Sequence, residues 1–311
     1  MSLSGGLGGV DVVAVVCGPT GAGKSAIALR LAARHRRPIL VADSRQIYRR
    51  FDLGTAKPTA EERRHVPHLG LDVVDPTDRY SAAQWADLAE RCLSGAVVAG
   101  GMPLVVGGTG MYLRSLFEGL FAEPAVDERR RKKLLDWLDT RATEELRQWA
   151  VELDPARAVL GRTQLLRAVS VALLTGQRIS RLHKTRAREP GWRPHYLVVD
   201  PGPELNDRIG RRLDSMIDAG WLEEVRELDG LPEDAPAWTA SGYRTMRGVV
   251  RGTINLETAR ESILIETRQY AKRQRTWFRH QLPEARTTRV NPLQPDADDI
   301  VDAWWESVQP R

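Results

Sequence analysis

Short hydrophobic runs alternate with amphipathic segments in the first third of the chain. Three of these runs, residues 12–17, 38–43 and 102–106, are rich in small and β-branched residues and lead into glycine or an acid. Runs of this kind are typical of buried parallel strands. The segments 26–36 and 111–117 have helical spacing instead. The alternation of strand, loop and helix predicts an α/β domain with a central parallel sheet.

The pattern changes beyond residue 124. Over residues 126–177, apolar positions recur at helical spacing among many charges, and no strand-like run interrupts them. A strand pattern returns at residues 195–200, after an arginine-rich stretch that we interpret as a loop. Residues 204–227 and 256–280 then have the spacing of long helices. The chain therefore predicts a sheet-containing core that is interrupted by a helical insertion.

A glycine-rich loop joins the first predicted strand to the first predicted helix. It fits the pattern G-x-x-x-x-G-K-[ST] and consists of Gly18, Pro19, Thr20, Gly21, Ala22, Gly23, Lys24 and Ser25. Glycines let backbone N–H groups approach phosphate oxygens, and the helix N-terminus adds partial positive charge. Lys24 would supply a full charge, and the Ser25 hydroxyl is a candidate ligand of Mg²⁺. The loop predicts a di- or triphosphate site with Mg²⁺ as cofactor, and it leaves a kinase, an NTPase or another phosphate chemistry open.

The predicted fold class is therefore α/β, with a core like that of the phosphate-loop NTPases and a central parallel sheet flanked by helices. We expect residues 11–122 and 195–311 to form this catalytic core. Residues 123–194 would form the helical insertion domain. A length of 311 residues suits one large domain or two modest ones.

Composition and charge narrow the classes of partner. Hydrophobic residues make up 42% and charged residues 28% of the chain, an ordinary globular balance. No apolar run approaches the roughly 20 residues of a membrane helix, so we expect no membrane partner and a cytoplasmic protein. Two cysteines are too few for a disulfide framework or a four-ligand zinc site. A net charge of +5, with basic clusters at residues 129–133, 181–193 and 268–279, favours a polyanionic partner.

Four further motifs follow the predicted strands or lie in the last long helix. They are D-S-R-Q-I-Y at residues 43–48, G-T-A-K-P at 54–58, G-G-T-G-M-Y-L at 107–113 and T-R-Q-Y-A-K-R-Q at 267–274. Together with the phosphate loop they closely resemble the bacterial tRNA dimethylallyltransferase family, over about residues 12–279. The resemblance implies transfer of a dimethylallyl group from dimethylallyl diphosphate to N6 of adenosine 37, in tRNAs that read codons beginning with U. The phosphate loop would then hold the leaving pyrophosphate.

Three residues would carry this chemistry. An adenine amine is a poor nucleophile that loses a proton as it is alkylated, and Asp43 matches the family's proposed base. Thr109 matches the threonine that donates to the bridging oxygen of the leaving diphosphate, and we expect its flanking glycines to let the backbone approach closely. Arg212 matches the arginine that grips the diphosphate. Arg208, one helical turn earlier, would assist it.

The resemblance also implies tRNA contacts, since adenosine 37 must leave the stacked anticodon loop to be modified. Contacts are expected from the residues that follow the second strand, Asp43, Ser44, Arg45 and Gln46, and from Arg131, Arg167, Gly242, Tyr243 and Arg244. In the last long helix, a basic stripe is formed by Arg268, Lys272, Arg275 and Arg279, which recur at i, i+4, i+7 and i+11. Such a stripe would offer its charges to tRNA phosphates. The insertion would clasp the anticodon stem.

The chain departs from the family pattern in places. The family often carries N-D-P-x-R where this chain has Gly161-Arg162-Thr163-Gln164, and only His68 matches the usual histidine pair. Three alternatives remain: an adenylate isopentenyltransferase acting on free AMP, a small-molecule phosphate-loop kinase, and a non-catalytic nucleic-acid-binding NTPase relative. The first does not need the basic insertion or stripe, and the second leaves T-R-Q-Y-A-K-R-Q unexplained. We expect a monomer, because tRNA-wrapping enzymes can act alone.

Overall fold

The structure is a computed structural model that describes residues 11–99, 101–119, 126–185 and 191–309. Within these ranges the strands are β1 (Asp11–Cys17), β2 (Ile39–Val41), β3 (His68–Leu69), β4 (Leu104–Gly107), β5 (Trp192–Val199) and β6 (Thr287–Val290). The helices are α1 (Lys24–His35), α2 (Ala60–His65), α3 (Ala82–Ala99), α4 (Gly110–Phe117), α5 (Glu128–Asp139), α6 (Thr143–Leu153), α7 (Arg162–Thr175), α8 (Ile179–Thr185), α9 (Leu205–Asp218), α10 (Trp221–Leu228), α11 (Tyr243–Val250), α12 (Leu256–His280) and α13 (Ala297–Ser307).

All the strands belong to one parallel sheet with the order β3-β2-β4-β1-β5-β6. β1 lies in the interior of the sheet, where Val15 pairs with Val105 of β4 on one side and with Tyr196 of β5 on the other. Interior parallel strands are covered on both faces, which explains the uninterrupted apolar run that predicted β1. The predicted α/β fold class, a parallel sheet flanked by helices, is confirmed.

Side chains that alternate along β1 enter two separate cores. Val13 and Val15 belong to a cluster that includes Trp85 of α3. Val16 belongs to a second cluster, with Leu31 of α1 and other residues of α1 and α13. Successive side chains of a strand point to opposite faces of the sheet, so each cluster fills the space between one face and its helices. This packing fixes the strand ends from which the candidate site is built.

The chain divides into two compact units, one formed by Met1–Phe117 with Gly191–Arg311 and the other by Glu118–Pro190. The described part of the second unit is helical, and its core is built from Leu138, Leu146, Leu165 and Val169. The sheet resumes earlier than the strand pattern at residue 195 suggested, because Trp192 already pairs with Asp11.

Some elements differ from the sequence-based expectation. α8 occupies the start of the stretch interpreted as a loop, because Ile179 and Leu182 bury their side chains with Val171 of α7. The long helix expected at 204–227 is two helices, α9 and α10, separated at Gly220, whose φ of 98° is left-handed and ends helical geometry.

Several elements were not predicted, among them α3 and β6. α3 begins after a capping box, in which the Gln84 N–H donates to Ser81 Oγ at 3.2 Å and the Ser81 N–H donates to Gln84 Oε1 at 2.9 Å. That S-x-x-Q signal was available in the sequence. β6 has no apolar run and exists through its pairing with β5, for example Val199 with Val290. Among the described residues, no helix combines the length and the apolar character needed to cross a membrane.

Candidate active site

The candidate site lies at the carboxyl edge of the sheet, where the loops that follow β1, β2 and β4 meet. Carboxyl ends of parallel strands share one edge, so motifs distant in sequence come together there. A cavity of about 620 Å³ opens at this edge. Its charged and polar lining includes Lys24, Ser25, Asp43, Gln46, Arg208 and Arg212. The structure therefore brings together the predicted phosphate loop, the predicted base and the predicted arginines.

Lys24 is enclosed by the phosphate loop. Its ammonium donates to the carbonyl of Pro19 at 2.8 Å. Burial and, to a smaller extent, the Arg212 charge together lower the pKa of Lys24 to about 8, although Asp43 acts in the opposite direction. Burial also lowers the pKa of Arg212, against the effect of Asp43. Two cations held together in low dielectric create a strongly attractive place for a phosphate anion.

Arg208 and Arg212 project from one face of α9 onto the phosphate loop. Arg208 Nε donates to the carbonyl of Gly21 at 3.1 Å. Arg212 Nη1 lies 3.5 Å from Thr20 Oγ1, a long contact that leaves its charge directed into the cavity. The i, i+4 spacing noted in the sequence thus places both guanidinium groups against the loop.

Asp43 and Thr109 are linked through the backbone between them. The Arg45 N–H donates to Asp43 Oδ1 at 2.8 Å, which fixes the carboxylate at the end of β2. The Ser44 N–H donates to Thr109 Oγ1 at 3.0 Å, which ties the loop after β2 to the loop after β4. A candidate base and a candidate hydroxyl donor are therefore held at neighbouring positions of one edge.

Two further residues of D-S-R-Q-I-Y are held by neighbouring loops. Gln46 Nε2 donates to the carbonyls of Thr55 at 3.0 Å and Ala56 at 3.1 Å. The Arg45 guanidinium donates to Thr239 Oγ1 at 2.6 Å. The motif G-T-A-K-P thus serves, in part, to position Gln46.

Lys57, the lysine of G-T-A-K-P, has a structural role. Its side chain is 1% exposed, and Nζ lies 2.6 Å from a carboxylate oxygen of both Asp52 and Asp72. The same ammonium donates to the carbonyl of Tyr48. Because the charge is buried and paired on several sides, it stabilises the loops beside the cavity.

Helix α12 supports the glycine-rich loop that carries Thr109. A Cβ on Gly108 would lie 2.5 Å from Gln274 Nε2, and a Cβ on Gly110 would lie 2.4 Å from the Trp277 ring. These glycines let the loop pack closely against α12, and the close approach of its backbone to a ligand stays a prediction. Tyr270, another α12 residue that lines the cavity, contacts Thr109, and burial raises its pKa to about 12.

The structure contradicts tRNA contacts for Gly242 and Tyr243. Both are buried, and Tyr243 is fully buried. The Tyr243 hydroxyl donates to Glu224 Oε1 at 2.6 Å and accepts from the Gly54 N–H at 3.1 Å. A side chain closed off from solvent and committed to its own core has no surface to offer a nucleic acid. Arg244 is exposed, so its tRNA contact stays a prediction.

The basic stripe on α12 is not uniform. Arg275 is bound by Asp200, with Nε 2.9 Å from Oδ2 and Nη2 2.5 Å from Oδ1, and it also donates to the Gly202 carbonyl. This bidentate pair fastens α12 to the end of β5, which contradicts the expected phosphate contact of Arg275. It also occupies Asp200, a carboxylate that could have held metal. Arg268, Lys272 and Arg279 are exposed.

The remaining predicted tRNA contacts lie in the helical unit. Arg131 belongs to α5 and is half-buried, whereas Arg167 belongs to α7 and is exposed. Their tRNA contacts stay predictions. Part of the basic cluster at residues 181–193, including Arg186 and Arg188, lies outside the described residues.

Ser25 is the candidate magnesium ligand of the cavity. In the described part of the chain, no group of three or more His, Cys, Asp or Glu side chains is arranged to hold a metal ion. Ser25 is exposed in the first turn of α1 and lines the cavity. Mg²⁺ in phosphate sites keeps several waters and takes most other ligands from the substrate, so a single hydroxyl beside a diphosphate fits such an ion.

The chain is similar to known proteins over most of its length. A family model described as IPP transferase matches residues 46–281, and one described as isopentenyl transferase matches residues 11–72. The tRNA dimethylallyltransferase of Thermomicrobium roseum is 40% identical over 279 residues, 86% of this chain and 83% of that protein. The tRNA dimethylallyltransferase of Gloeobacter violaceus is 41% identical over 278 residues, 86% of this chain and 89% of that protein.

Solved structures show the same relationship. The full-length tRNA isopentenylpyrophosphate transferase of Bacillus halodurans is similar with a TM-score of 0.68 and 30% identity, over 96% of both chains. A eukaryotic dimethylallyltransferase acting on tRNA is similar with a TM-score of 0.80, over 96% of this chain and 80% of that one. At 24% identity the second likeness concerns the fold alone.

Proposed function

The chain belongs to the IPP transferase family, and from this premise we propose the reaction that its cavity performs. It is a tRNA prenyltransferase enzyme. We propose that it transfers the dimethylallyl group of dimethylallyl diphosphate to N6 of adenosine 37, in tRNAs that read codons beginning with U. The observation that carries this proposal is the shared cavity, where the enclosed cations Lys24 and Arg212 lie beside Asp43.

The diphosphate occupies the cationic end of the cavity. Backbone N–H groups of the phosphate loop, Lys24, Arg208 and Arg212 bind its oxygens. When the bond between C1 of the dimethylallyl group and the bridging oxygen breaks, the electron pair leaves with pyrophosphate. The Thr109 hydroxyl donates to that oxygen as its charge grows, an interaction that stabilises the transition state more than the ground state.

Asp43 acts on the acceptor. The N6 lone pair forms the new bond to C1, and Asp43 accepts the proton that N6 loses. The Arg45 N–H holds Asp43 in position for this step. Because the Gln46 Nε2 is committed to loop carbonyls, we propose that its Oε1 accepts from the extruded adenine, with Ser44 and Arg45 beside it.

The tRNA backbone would contact basic residues that are exposed or half-buried. We propose Arg244, Arg268 and Lys272 as phosphate contacts in the sheet-containing unit, and Arg131 and Arg167 in the helical unit. Phosphate contacts fix the register of a nucleic acid, whereas the adenine pocket identifies the base. We propose that the enzyme acts as a monomer in the cytosol.

Ser25 would hold Mg²⁺ together with oxygens of the bound diphosphate. When bound, the ion would supply positive charge that neutralises the diphosphate. We expect EDTA to inhibit the transfer of labelled dimethylallyl groups to tRNA, and we expect added Mg²⁺ to restore it.

Radiolabelled dimethylallyl diphosphate, offered with Mg²⁺ and either unmodified tRNA or AMP, tests the proposal. Label in tRNA that maps to adenosine 37 is the expected outcome. Label only in AMP would reassign the protein to free-nucleotide prenylation. Label in neither, with ATP turnover instead, would indicate a kinase and overturn the proposal.

A further inference from the structure

Gln274 is a buried polar side chain that connects two loops of the site. It projects from α12 and is 7% exposed. Its Oε1 accepts from the Thr20 N–H of the phosphate loop at 2.8 Å. Its Nε2 donates to the carbonyl of Gly108 at 2.8 Å, directly before Thr109. Both partners are far away in sequence, 254 and 166 positions from Gln274.

The orientation of this amide is unambiguous. A backbone N–H requires an acceptor and a carbonyl requires a donor, so only one assignment of the amide oxygen and nitrogen satisfies Thr20 and Gly108 together. Rotation of the amide by half a turn would place like groups against each other on both sides. The side chain therefore acts as a spacer with a fixed direction between the two loops.

The two loops have different tasks in the proposed reaction. The loop after β1 holds the phosphates through Lys24, and the loop after β4 carries the Thr109 hydroxyl. The distance between them decides whether the hydroxyl reaches the bridging oxygen of a diphosphate seated on the phosphate loop. Gly108 contributes, because a Cβ there would lie 2.5 Å from Gln274 Nε2 and force the spacer away.

The bond to Thr20 also has a consequence for the phosphate loop. The Thr20 N–H is directed to Gln274, so the phosphates are left to the N–H groups later in the loop, towards Lys24. A buried N–H without such a partner would be costly, which makes the bridge part of the loop's shape.

We propose that Gln274 is a positioning residue that sets the phosphate loop and Thr109 at the spacing required for departure of the diphosphate. The inference rests on the proposed function. It predicts that losing the bridge slows the chemical step far more than it weakens binding of dimethylallyl diphosphate.

The first test compares variants of similar volume. Gln274→Met removes both hydrogen bonds, and we expect kcat to fall by about 10²-fold, the cost of a small misplacement of reacting groups, with much less change in KM for dimethylallyl diphosphate. Gln274→Glu keeps an acceptor for Thr20 but loses the donor to Gly108, so kcat should also fall. Gln281→Met, the same change at an exposed residue after α12, should keep normal kcat.

A double-mutant cycle separates positioning from general support of the fold. If Gln274 acts by placing Thr109, Gln274→Met added to Thr109→Val should cost little beyond Thr109→Val alone. Losses that multiply, or a normal kcat in both folded Gln274 variants, would overturn the inference; thermal unfolding confirms that each variant is folded. A wild-type enzyme that transfers no label to tRNA would instead refute the proposed function.

Discussion

Arg247 and Arg212 are both largely enclosed in the sheet-containing unit, yet their surroundings differ. Arg247 Nε lies 2.6 Å from Asp229 Oδ1, its Nη2 donates to the carbonyls of Asp229 and Leu231, and its guanidinium covers the Trp238 ring at 4.4 Å. Arg212 makes a 3.5 Å contact to a hydroxyl, and in the described part of the chain it forms no ion pair.

The difference shows how the same residue type serves structure in one place and binding in another. A buried charge is tolerated when carboxylates and carbonyls surround it. Among the described residues, Arg212 and its neighbour Lys24 have no carboxylate partner, although Lys24 donates to the Pro19 carbonyl, and burial lowers the pKa of both. Two such cations at one cavity favour binding of an anionic ligand there.

The largest effect is expected at Asp43, the carboxylate that lines the same cavity as these two cations. Asp43→Asn keeps an acceptor for the Arg45 N–H but removes the base, so turnover should fall by about 10²–10⁴-fold while tRNA binding persists. Single-turnover label transfer measures the effect. Asp75→Asn, a surface residue paired with Arg49, is the matched control and should be normal. Unchanged turnover in Asp43→Asn would remove it as the base.

Loss of an unpaired cation should be nearly as severe. Arg212→Met is expected to lower kcat/KM for dimethylallyl diphosphate by about 10²–10³-fold, the range for one preorganised charge donor. The fold should not suffer, because Arg212 holds no carboxylate. Arg226→Met, which removes an exposed arginine paired with Glu223, provides the comparison. A strongly lowered melting temperature for Arg212→Met would contradict its assignment as a binding group.

Loss of Arg247, the paired arginine, should lower stability and leave catalysis unchanged. Arg247→Met should lower the free energy of unfolding by roughly 3 kcal/mol, the low end for breaking a buried pair, because Arg251 still contacts Asp229. Urea unfolding measures this. At temperatures where the variant stays folded, its kcat should equal that of the wild type. A lowered kcat would contradict a purely structural role for Arg247.

Because Lys24 titrates near neutral pH, we expect the affinity of the site for diphosphate to depend on pH. The folded pKa of Lys24 lies at about 8, below its ordinary value of 10.5, mainly because of burial. Diphosphate binding favours the charged form, so the contribution of Lys24 to affinity is fully present well below pH 8 and should fall, by up to about tenfold per pH unit, as the pH rises through 8. Isothermal titration with pyrophosphate measures the trend. Lys24→Arg stays charged, so a fall of the same steepness in that variant would exclude Lys24 as its cause.

The smallest effect separates two members of the α12 stripe. Lys272→Gln should reduce the slope of log affinity for tRNA against log salt by about 1, as expected for one lost phosphate contact. Arg275→Gln should leave the slope unchanged and lower stability, because Arg275 is bound to Asp200. Filter binding across a salt series measures these slopes. Equal slopes for Lys272→Gln and the wild type would exclude a phosphate contact of Lys272.

Local patterns predicted much of the fold. The β-branched runs of β1, β2, β4 and β5 and the spacing of α12 were visible because each element buries its own side chains. β6 was not predicted, because its extended conformation depends on pairing with β5 and not on a local sequence pattern. α3 carried a capping signal at Ser81 that was overlooked.

The sequence by itself determined the chemistry available to this protein: a phosphate loop with Lys24, an acid after the second strand, a threonine between glycines and a family of known reaction. Only the tertiary structure decided which similar residues serve that chemistry. Arg275 forms an ion pair with Asp200, which is 75 positions away in the sequence, whereas Arg212 lines the cavity. The reason is physical, because the free energy of a charge depends on the partners that surround it after folding, and those partners come from distant parts of the chain.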